Sequence, residues 1–555
     1  MNILFIMYDQ LRFDYLSCAG HPHLSTPNFD RVASMGVRFT NAYVQSPICG
    51  ASRMSTYTGR YVSSHGAQWN GVPLRIGEFT LGDHLRDAGM DCWLIGKTHM
   101  KVDAAGMERL GLAPESVIGA RQSECGFDVW VRDDGLWAQG PDGFYDQKRS
   151  PYNEYLNSKG YQGDNPWADF ANAGVHDTDD ADTGASKGDI ASGWMFLNVD
   201  KAANIKEQDS ETPWLTTQAI DFIEQAQGSW CAHVSYIKPH WPYIVPAPYN
   251  TMYNTEHIIP VVRDDIEKQN PQPVYDAYAK GLVSKAFSRT DVREKVIPAY
   301  MGLIKQCDDQ LGRLLEYLEK SNQLDKTMIV LTSDHGDYLG DHWLGEKNLF
   351  HEPSVKVPLI VYDPRQAADD TRGSTCNALV ESIDLAPTFV AAAGGKVPSH
   401  ILEGMNLEPY LHGTDVTDRE YVISEYDYSL TPHCEALGVA IEDARLFMVF
   451  DGRYKLMHAE GGFRPMLFDL ESDPDELTDL AKGNTHNDEI DRLYDYLASW
   501  GRRLCQRVAR SDDEIRAMRG ASLKKGILPF LVTGKEVPEN LTVHYRGKAK
   551  QRFDG

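Results

Sequence analysis

Short, uninterrupted hydrophobic segments alternate with amphipathic ones along most of the chain. The uninterrupted segments cover residues 2–8, 91–95, 230–236, 328–333 and 359–362. Such segments are typical of strands that are buried on both faces of a parallel sheet. The amphipathic segments carry apolar residues at helical spacing, most clearly over residues 297–321. The pattern therefore predicts an α/β fold, with a large, mostly parallel central sheet sandwiched between helices.

Several helix boundaries are marked by capping residues. Thr26 and Pro27 fit the N-cap and the first helical position of one helix. Thr80, with Asp83 three residues later, has the pattern of a capping box. A Thr-Pro pair at residues 212–213 predicts the start of a further helix.

Beyond about residue 425, short paired strands replace the alternation of strands and helices. Residues 446–450 and 453–457 flank an Asp-Gly pair, which is the pattern of a hairpin with a two-residue turn. Residues 466–470 predict a third strand, and residues 490–508 predict a final helix. This part of the chain is therefore expected to be built on an antiparallel sheet.

These patterns divide the chain into two predicted parts. A large α/β domain, which contains the candidate site residues described below, occupies residues 1–425, and a smaller C-terminal α+β subdomain with hairpins, a helix and an extended tail occupies residues 426–555. Within the first part, residues 100–212 form an irregular insert that is rich in Asp, Gly, Asn and aromatic residues. Its clustered carboxylates lack the spacing of a calcium loop and are expected to be solvated: Asp177, Asp179, Asp180 and Asp182. Such an insert is often a lid or an oligomer contact, and the sequence leaves both open.

Net charge and cysteine content narrow the classes of function and location. The 555 residues carry a net charge of −25, which argues against nucleic acid or an anionic membrane as a partner. A site for anions must therefore be locally basic or hold a metal ion. Nine scattered cysteines without metal-type spacing indicate reduced thiols and a cytoplasmic protein. The N-terminal apolar segment is too short for a signal peptide, and no segment is long enough to span a bilayer.

Side chains that can bind a metal ion follow two of the predicted strands. Asp9 and Gln10 follow the first strand, and Asp334 and His335 follow the strand at 328–333. The carboxyl ends of parallel strands meet at one edge of a sheet, where open α/β sheets bind ligands. Oxygen ligands suit calcium or magnesium, while a histidine favours manganese or zinc. The sequence predicts that these side chains share one divalent ion.

A candidate nucleophile begins a short helix that Gly59 ends. Cys49 occupies the first turn, where unpaired N–H groups and the helix dipole favour negative charge, and Arg53 lies one turn later. A lone cysteine on a helix is more often a buried core residue. Lys97 and His99 follow another strand end, where solvated side chains are the ordinary alternative. The surrounding sequence favours a site over both alternatives.

The segment Cys49-Gly50-Ala51-Ser52-Arg53 resembles the Cys-x-Pro-x-Arg signature of type I sulfatases in the alkaline phosphatase superfamily, with Ala51 in place of the usual proline. The resemblance extends from residue 2 to about residue 481 and points to the arylsulfatase and phosphonate monoester hydrolase branch. The other matching segments are Asp9-Gln10, Gly96-Lys97-Thr98-His99, Lys238-Pro239-His240, Asp334-His335, Lys347 and residues 467–476.

The resemblance implies an alkaline phosphatase-like fold and a metal-dependent enzyme whose nucleophile is made after synthesis. Cys49 would be oxidised to formylglycine by a maturation enzyme, and the hydrated aldehyde would attack the substrate. One divalent ion, Ca²⁺ or Mn²⁺ before Mg²⁺ or Zn²⁺, would be held by Asp9, Gln10, Cys49, Asp334 and His335. Gln10 stands where the family normally has a second acid, which lowers the charge of the site and weakens the case for calcium.

The same resemblance implies roles for the basic residues. Arg53 and Lys97 would hold the nucleophile and the substrate oxygens. Lys347 and His240 would stabilise or protonate the departing oxygen. His99 would take the proton whose loss expels the oxyanion from a covalent sulfo-enzyme intermediate.

Three further residues are assigned to the substrate. Asn70 is expected to hydrogen-bond a substrate oxygen, and Trp241 and Tyr243 are expected to line the leaving-group pocket together with the insert. The polar tail beyond Pro538 is expected to be either disordered or wrapped onto a neighbouring copy in a homo-oligomer; its basic residues include Lys548, Lys550 and Arg552.

We interpret the sequence as that of a sulfuric ester hydrolase acting on small anionic esters, namely aryl or other small organic sulfates. Lys97 and His99 carry this choice, because a cation and a base suit a singly charged ester and an intermediate that must be expelled. The alternative is a phosphonate monoester or phosphodiester hydrolase with the same nucleophile and metal site, and promiscuity between the two is expected. A binding protein without catalysis is disfavoured because every expected ligand is present. Phosphatases and phosphomutases of the superfamily have Ser or Thr where Cys49 stands.

Overall fold

The structure, a computed structural model, describes residues 1–135, 150–179, 184–505 and 509–519. The strands in these ranges are β1 (Asn2–Asp9), β2 (Val37–Tyr43), β3 (Asp91–Gly96), β4 (Asp128–Arg132), β5 (Ala173–Val175), β6 (Ile190–Ser192), β7 (Trp230–Pro239), β8 (Thr327–Ser333), β9 (Leu359–Tyr362), β10 (Ser374–Glu381), β11 (Val422–Asp427), β12 (Arg445–Phe450), β13 (Tyr454–Ala459) and β14 (Met466–Asp469). The helices are α1 (Pro27–Met35), α2 (Cys49–Thr58), α3 (Val62–His65), α4 (Leu81–Asp87), α5 (Ala104–Leu110), α6 (Val117–Ser123), α7 (Pro151–Ser158), α8 (Glu211–Gln225), α9 (Pro273–Ala279), α10 (Leu282–Ser288), α11 (Thr290–Lys320), α12 (Glu352–Val355), α13 (Leu385–Ala392), α14 (Glu408–Leu411), α15 (Pro432–Leu437), α16 (Asn487–Gly501) and α17 (Asp512–Met518).

An eight-stranded sheet with the order β10-β2-β9-β8-β1-β7-β3-β4 carries the site described below. Neighbouring strands run parallel except at β9, which is antiparallel to both β2 and β8. β1 is almost entirely buried, as its uninterrupted apolar sequence requires. These observations confirm the predicted large, mostly parallel sheet.

The central strands end at one edge of this sheet. β1 and β8 pair in parallel with a register that brings Asp9 and Asp334 to the same level. β7, on the other side of β1, leads directly to His240, and β3, beyond β7, leads directly to Lys97. Cys49 is the first residue of α2, which follows β2.

Two hydrophobic cores cover the two faces of the sheet, and consecutive side chains of β1 alternate between them. Phe5 faces a core that α2, α4 and α13 cover. Ile6 faces a second core that α1, α8 and α11 cover. The sheet is therefore sandwiched between helices, as predicted.

The predicted helices are present, but two of them begin earlier than expected. Thr80 and Asp83 form the predicted capping box of α4. α8 begins at Glu211 and not at residues 212–213. α11 begins at Thr290 and not at residue 297, so that Pro298 lies inside it. The proline removes one backbone hydrogen bond, and burial of the flanking turns against the sheet compensates for the loss.

The C-terminal antiparallel sheet has the order β11-β12-β13-β14. The predicted hairpin of β12 and β13 is confirmed, but the expectation of a two-residue turn is wrong. Strand pairing stops at Phe450 and Lys455. Within the wider turn, Asp451 Oδ1 accepts hydrogen bonds from the backbone N–H groups of Arg453 at 2.9 Å and Tyr454 at 2.7 Å. The aspartate side chain thereby stabilises a longer turn than the Asp-Gly pair predicts.

α16 covers this second sheet. Its buried Leu493 and Trp500 pack against apolar residues of β11, β12, β13 and β14. The helix ends at Gly501, whereas the sequence predicted residues 490–508, of which residues 506–508 lie outside the described residues.

The segment of residues 100–212, expected to be irregular, contains regular elements. β4 joins the main sheet parallel to β3, and β5 pairs with β6 in a two-stranded antiparallel sheet. These strands have three to five residues, which is too short for periodicity to reveal them. Asp180 and Asp182 lie outside the described residues.

The chain separates into two compact units. One comprises Met1–Val397 and Leu402–Cys505 and holds both large sheets. The other comprises Pro398–Ile401 and Gln506–Gly555, of which α17 is described. The tail residues Lys548, Lys550 and Arg552 lie outside the described residues, and the domain boundary predicted at residue 425 stays a prediction. Among the described helices, none is long and apolar enough to cross a membrane.

Candidate active site

Four side chains with metal-binding atoms meet at the carboxyl edge of the main sheet. They are Asp9, Cys49, Asp334 and His335, and one ligand atom of each lies within 4.8 Å of the others. Asp9 Oδ1 is 3.8 Å from Cys49 Sγ and 3.7 Å from His335 Nε2. His335 Nε2 is 3.8 Å from Asp334 Oδ1. The structure thus brings together four of the five predicted ligands.

Gln10, the fifth predicted ligand, turns its amide oxygen towards the same group. Its φ of +66° lies in the left-handed region that non-glycine residues rarely adopt. Its Nε2 donates to Tyr243 Oη at 2.9 Å and to Asp337 Oδ2 at 2.5 Å, which leaves Oε1 3.4 Å from Lys347 Nζ. Tyr243 is fully buried in this contact, so it does not line a leaving-group pocket as expected.

The orientation of the His335 ring suits metal binding. Its Nδ1 is 2.9 Å from the Gly336 carbonyl oxygen, so Nδ1–H donates to this carbonyl. Nε2 then faces the carboxylates of Asp9 and Asp334, with Cys49 Sγ at 3.0 Å and Lys347 Nζ at 3.2 Å, and a ring fixed through Nδ1 in this way is usual for metal-binding histidines. Carboxylate and amide oxygens with one imidazole nitrogen make a donor set that fits a divalent cation.

Arg53 lies beneath this group and is fully buried. Its Nε donates to Asp334 Oδ2 at 2.8 Å, and one terminal nitrogen donates to Asp9 Oδ2 at 3.1 Å. Its other terminal nitrogen donates to Ser235 Oγ at 2.7 Å and to the Lys97 carbonyl oxygen at 3.1 Å. The guanidinium therefore fixes the spacing of the two carboxylates through charge-assisted hydrogen bonds.

Lys97 is a second cation in contact with the Asp9 carboxylate. Its Nζ is 2.6 Å from Asp9 Oδ2. Burial and the neighbouring Cys49 would raise the pKa of Asp9, but Lys97, His240 and Arg53 hold it below its ordinary value. Asp9 is therefore an ionised carboxylate that is available as a ligand.

Lys347 contacts the candidate nucleophile directly. Its Nζ lies 3.1 Å from Cys49 Sγ and 3.2 Å from Nε2 of both His240 and His335. Burial alone would raise the pKa of the Cys49 thiol, but Lys347, His335 and Lys97 hold it well below its ordinary value. Position 49 is therefore suited to carrying negative charge.

His240 is oriented by the residue that follows it. Its Nδ1 is 2.7 Å from the Trp241 carbonyl oxygen, so Nδ1–H donates there and Nε2 accepts from Lys347. Burial, together with the Lys347 ammonium, lowers the pKa of His240 to about 4 against the opposing effect of Asp9. In this pair the lysine carries the proton.

Comparison with known proteins agrees with this geometry. The profile of the family described as "Sulfatase" matches residues 1–395, and that described as "N-sulphoglucosamine sulphohydrolase, C-terminal" matches residues 340–502. The chain belongs to the sulfatase family. It is accordingly a sulfuric ester hydrolase, and the resemblance noted in its sequence is confirmed.

Individual relatives of this sulfatase come from both branches considered above. An arylsulfatase of Clostridium perfringens is 28% identical over 501 residues, which is 89% of this chain and 92% of the relative. Among solved structures, a phosphonate monoester hydrolase from Silicibacter pomeroyi has a TM-score of 0.74 and 28% identity, with 90% of this chain and 94% of that chain covered. A phosphonate monoester hydrolase of Agrobacterium radiobacter has a TM-score of 0.75 and 26% identity, with 90% and 95% covered.

Two predicted site residues have contacts outside this group in the sulfatase. The backbone N–H of His99 donates to Asp134 Oδ1 at 3.4 Å, and its buried Nδ1 has no hydrogen-bond partner in the described part of the chain. Asn70 Oδ1 accepts from the backbone N–H of Gly50 at 2.7 Å. Asn70 thus supports the start of α2, and a Cβ at Gly50 would lie only 2.8 Å from this oxygen. The glycine next to Cys49 was the sequence feature that could have indicated this contact.

Sequence reasoning missed Arg12, which holds the loop that carries Lys347. One terminal nitrogen of Arg12 donates to the carbonyl oxygens of Asp337 and Tyr338, both at 3.2 Å, and to Asp341 Oδ2 at 2.7 Å. Its position three residues after Asp9 in the same loop was the available indication. Arg12 therefore positions the loop and does not enter the group of metal-binding atoms.

Sequence reasoning also missed Glu346, which precedes Lys347. It has a left-handed φ of +57°, and burial raises the pKa of its carboxyl group to about 7 although Lys347 opposes the effect. Left-handed residues recur through this loop, at Leu339, His342, Trp343, Glu346 and Asn348. Such backbone conformations are uncommon and are concentrated at functional sites.

Proposed function

We propose that this sulfatase hydrolyses sulfate monoesters with aryl or other small organic leaving groups, with nucleophilic attack from position 49. One observation carries the proposal: the side chain of Cys49 belongs to the group of metal-binding atoms and also contacts Lys347 Nζ at 3.1 Å. A reacting sulfur bound at position 49 would therefore lie close both to the Lys347 ammonium group and to a metal ion held by this group. Such charge stabilisation is the main requirement for transferring a sulfuryl or phosphoryl group.

The donor set described above fits one divalent ion, held by Asp9, Gln10, Asp334 and His335 together with the side chain at position 49. When bound, the ion would neutralise charge on a substrate oxygen and lower the pKa of the nucleophile. Calcium and manganese are the proposed ions, with magnesium and zinc as alternatives, because oxygen donors predominate and one imidazole is present.

Position 49 is also suited to the modified nucleophile of the family. Formylglycine made from Cys49 would supply a hydrated aldehyde there, and a formylglycine-generating enzyme is the proposed maturation partner. The residue begins α2 and is buried, and Lys347 and His335 surround its side chain. These groups would hold a negatively charged oxygen as they hold the thiolate.

The basic residues have separate proposed roles in binding the substrate and in proton transfer. Lys97, 2.6 Å from Asp9, can hydrogen-bond a nonbridging oxygen of the substrate, while Arg53 holds the two carboxylates in place. Lys347 can donate to the leaving oxygen, because its ammonium carries the proton that it shares with His240. His99 remains a proposed base, although its described hydrogen bond leads to Asp134.

Phosphonate monoester or phosphodiester hydrolysis is the second candidate. The observation that favours it is Gln10 beside Asp9, because members of the phosphonate monoester hydrolase branch resemble this chain in having an Asp-Gln and an Asp-His pair. The structural likeness to two phosphonate monoester hydrolases also supports this second candidate. The same nucleophile and ion would serve both reactions, so we propose that each activity is measurable.

A ratio of rates decides between the two candidates. We would measure kcat/KM for one aryl sulfate and the matching aryl phosphonate monoester on a single preparation, with Cys49→Ala as the blank. Incomplete conversion of Cys49 lowers both rates by the same fraction, so the ratio is unaffected. A sulfate preference of about tenfold, or about 1.4 kcal/mol, supports the main proposal. A phosphonate preference supports the second, and full activity of Cys49→Ala refutes both.

A cytoplasmic location and a homo-oligomeric state are also proposed. The proposed location rests on the reduced cysteines, and the proposed oligomer rests on the polar tail beyond Pro538. All nine cysteines, including Cys18, Cys376 and Cys505 near the surface, are free thiols in the structure. Size-exclusion chromatography with light scattering tests the oligomeric state directly, and a monomer at micromolar concentration would refute it.

A further inference from the structure

A row of aromatic rings in contact with one another leads from the candidate active site to the protein surface. The His240 ring lies 4.3 Å from the Trp241 ring, measured between centroids, at an angle of 38°. Trp241 in turn lies 4.9 Å from Trp194 at 61°. Trp194 is 46% exposed, whereas His240 is buried beside Lys347. The row therefore begins at the group that would contact the leaving oxygen and ends in solvent.

The two segments that carry these tryptophans are fixed to each other. Lys238 Nζ donates to Asn172 Oδ1 and to the Pro242 carbonyl oxygen, both at 2.8 Å. The backbone N–H of Gly193 donates to the Asn172 carbonyl oxygen at 2.9 Å. Lys238 thus joins the loop of Trp241 to the segment that precedes Trp194. The aromatic row is therefore formed before any substrate arrives, which reduces the entropic cost of binding.

We propose that Trp194 and Trp241 form one wall of a subsite for a planar aryl leaving group. The inference rests on the proposed function, because it takes the bond between sulfur and the leaving oxygen to be broken beside Lys347 and His240. The atoms beyond that oxygen then extend over Trp241 towards Trp194. Aromatic rings prefer offset or edge-to-face contacts with such side chains.

The surroundings of the row favour an aryl group over a sugar. The segment of Trp194 exposes further apolar side chains, among them Ile190 at 57% and Leu197 at 41%. Recognition of a sugar needs polar groups placed to read its hydroxyls, and these side chains offer none.

The test compares Trp194→Ala with Met195→Ala. Trp194→Ala should raise KM for 4-nitrophenyl sulfate about three- to tenfold with little change in kcat, because the lost contact exists before and during the reaction. The inhibition constant of 2-naphthol should rise by a similar factor, while that of inorganic sulfate should stay constant. Trp194→Phe should retain most of the affinity. Met195→Ala is the control, since it removes a neighbouring exposed side chain outside the row of rings.

Three results would overturn the subsite. These are an equal weakening of inorganic sulfate and 2-naphthol, an unchanged KM in Trp194→Ala, and a larger loss for a sugar sulfate than for 4-nitrophenyl sulfate. Failure of the proposed function can be distinguished from failure of the subsite, because wild-type protein would then hydrolyse neither the aryl sulfate nor the aryl phosphonate monoester. In that case, quenching of tryptophan fluorescence by 2-naphthol still tests the subsite, with wild-type binding stronger than Trp194→Ala if the inference holds.

Discussion

Two buried lysines serve this protein in opposite ways. Lys455, on β13 of the C-terminal sheet, has Nζ 2.6 Å from Glu352 Oε1 and 2.8 Å from Glu476 Oε1. Lys347, in the active-site loop, is surrounded by a thiol, two imidazoles and an amide oxygen. Within the described residues, no carboxylate forms an ion pair with it. Both ammonium groups are removed from water, but only one is neutralised by protein carboxylates.

The difference shows that the partners of a buried charge, and not its burial, distinguish structure from function. Removal from water costs several kcal/mol per ion, and Lys455 recovers this cost through two carboxylates. Burial would raise the pKa of Glu352, but Lys356 and Lys455 hold it at about 2. Lys347 has no carboxylate in direct contact; Cys49 and, at longer range, Asp9 and Glu346 raise its pKa against the effect of burial, so it stays a cation that can bind an anionic substrate.

The largest effects are expected from replacing each lysine by methionine. Lys455→Met should lower the free energy of unfolding by about 3–5 kcal/mol, because Glu476 would remain buried without its cation and Glu352 would keep only Lys356. Its kcat/KM should stay within about threefold of wild type at temperatures where it is folded. Lys347→Met should lower kcat/KM by roughly 10²–10³ with little loss of stability. Denaturant unfolding and initial rates on both variants provide the measurements.

The comparison fails if the two variants behave alike. Loss of activity in folded Lys455→Met would mean that the C-terminal sheet acts on the chemistry through the loop of Lys347. Strong destabilisation by Lys347→Met would mean that the neighbouring thiolate is sufficient compensation for its charge.

A divalent ion should stabilise the folded protein only through the proposed ligands of the active site. At an ion concentration of 100 Kd, the free energy of unfolding should rise by about 2.7 kcal/mol, seen as a higher apparent Tm. Asp334→Asn should abolish this increase because it removes a proposed ligand. Lys455→Met should retain the full increase from its lower starting Tm. An equal increase in Asp334→Asn would place the ion elsewhere.

The carboxylates around Lys455 allow a rescue experiment. Adding Glu476→Gln to Lys455→Met should restore about 2 kcal/mol, because it neutralises the acid that is left without its lysine. Glu476→Gln alone is measured to complete the double-mutant cycle. A purely additive double variant would show that Lys455 stabilises the sheet by packing and not by charge.

The two regions also differ in how much of them the sequence could predict. Asp9, Asp334 and Lys97 follow strands whose apolar sequences are unmistakable, and parallel strands bring such ends to one edge. Lys455 occupies a hairpin strand, where a polar residue normally indicates the solvent face. Its partner Glu352 is 103 residues away in the chain, so no local pattern connects them.

The contacts that orient the site side chains could not be predicted either, because they also join residues that are far apart in the chain. Gln10 was recognised as a ligand, but Tyr243 and Asp337, which set its orientation, lie 233 and 327 residues away. The support of Gly50 by Asn70 depends on a side chain folding back onto α2. Local sequence predicts which residues reach the site, whereas their orientation depends on tertiary contacts.

The smallest expected effect concerns Glu425, a buried carboxyl group of β11 whose environment differs from that of Glu352. Burial raises the pKa of Glu425 to about 7 in spite of the hydrogen bond from the Ser63 backbone. The folded state therefore binds a proton between about pH 4.3 and pH 7 that the unfolded state releases. The stability linked to this proton is present below that window and is lost as pH rises through it. Glu425→Gln should flatten this slope and stabilise the protein by about 1 kcal/mol at pH 8, as measured by denaturant unfolding.

The matched variant is Glu352→Gln. Because the pKa of Glu352 is held at about 2, its stabilising charge is present at pH 8 and is lost only as pH falls below the ordinary range. Glu352→Gln should therefore destabilise the protein at pH 8, which is the opposite sign to Glu425→Gln. If both substitutions changed stability in the same direction at pH 8, the presence or absence of a lysine partner would not determine whether a buried carboxylate stabilises the fold. Opposite signs would extend the comparison from the two lysines to acids: a buried charge stabilises the fold where the protein supplies its partner.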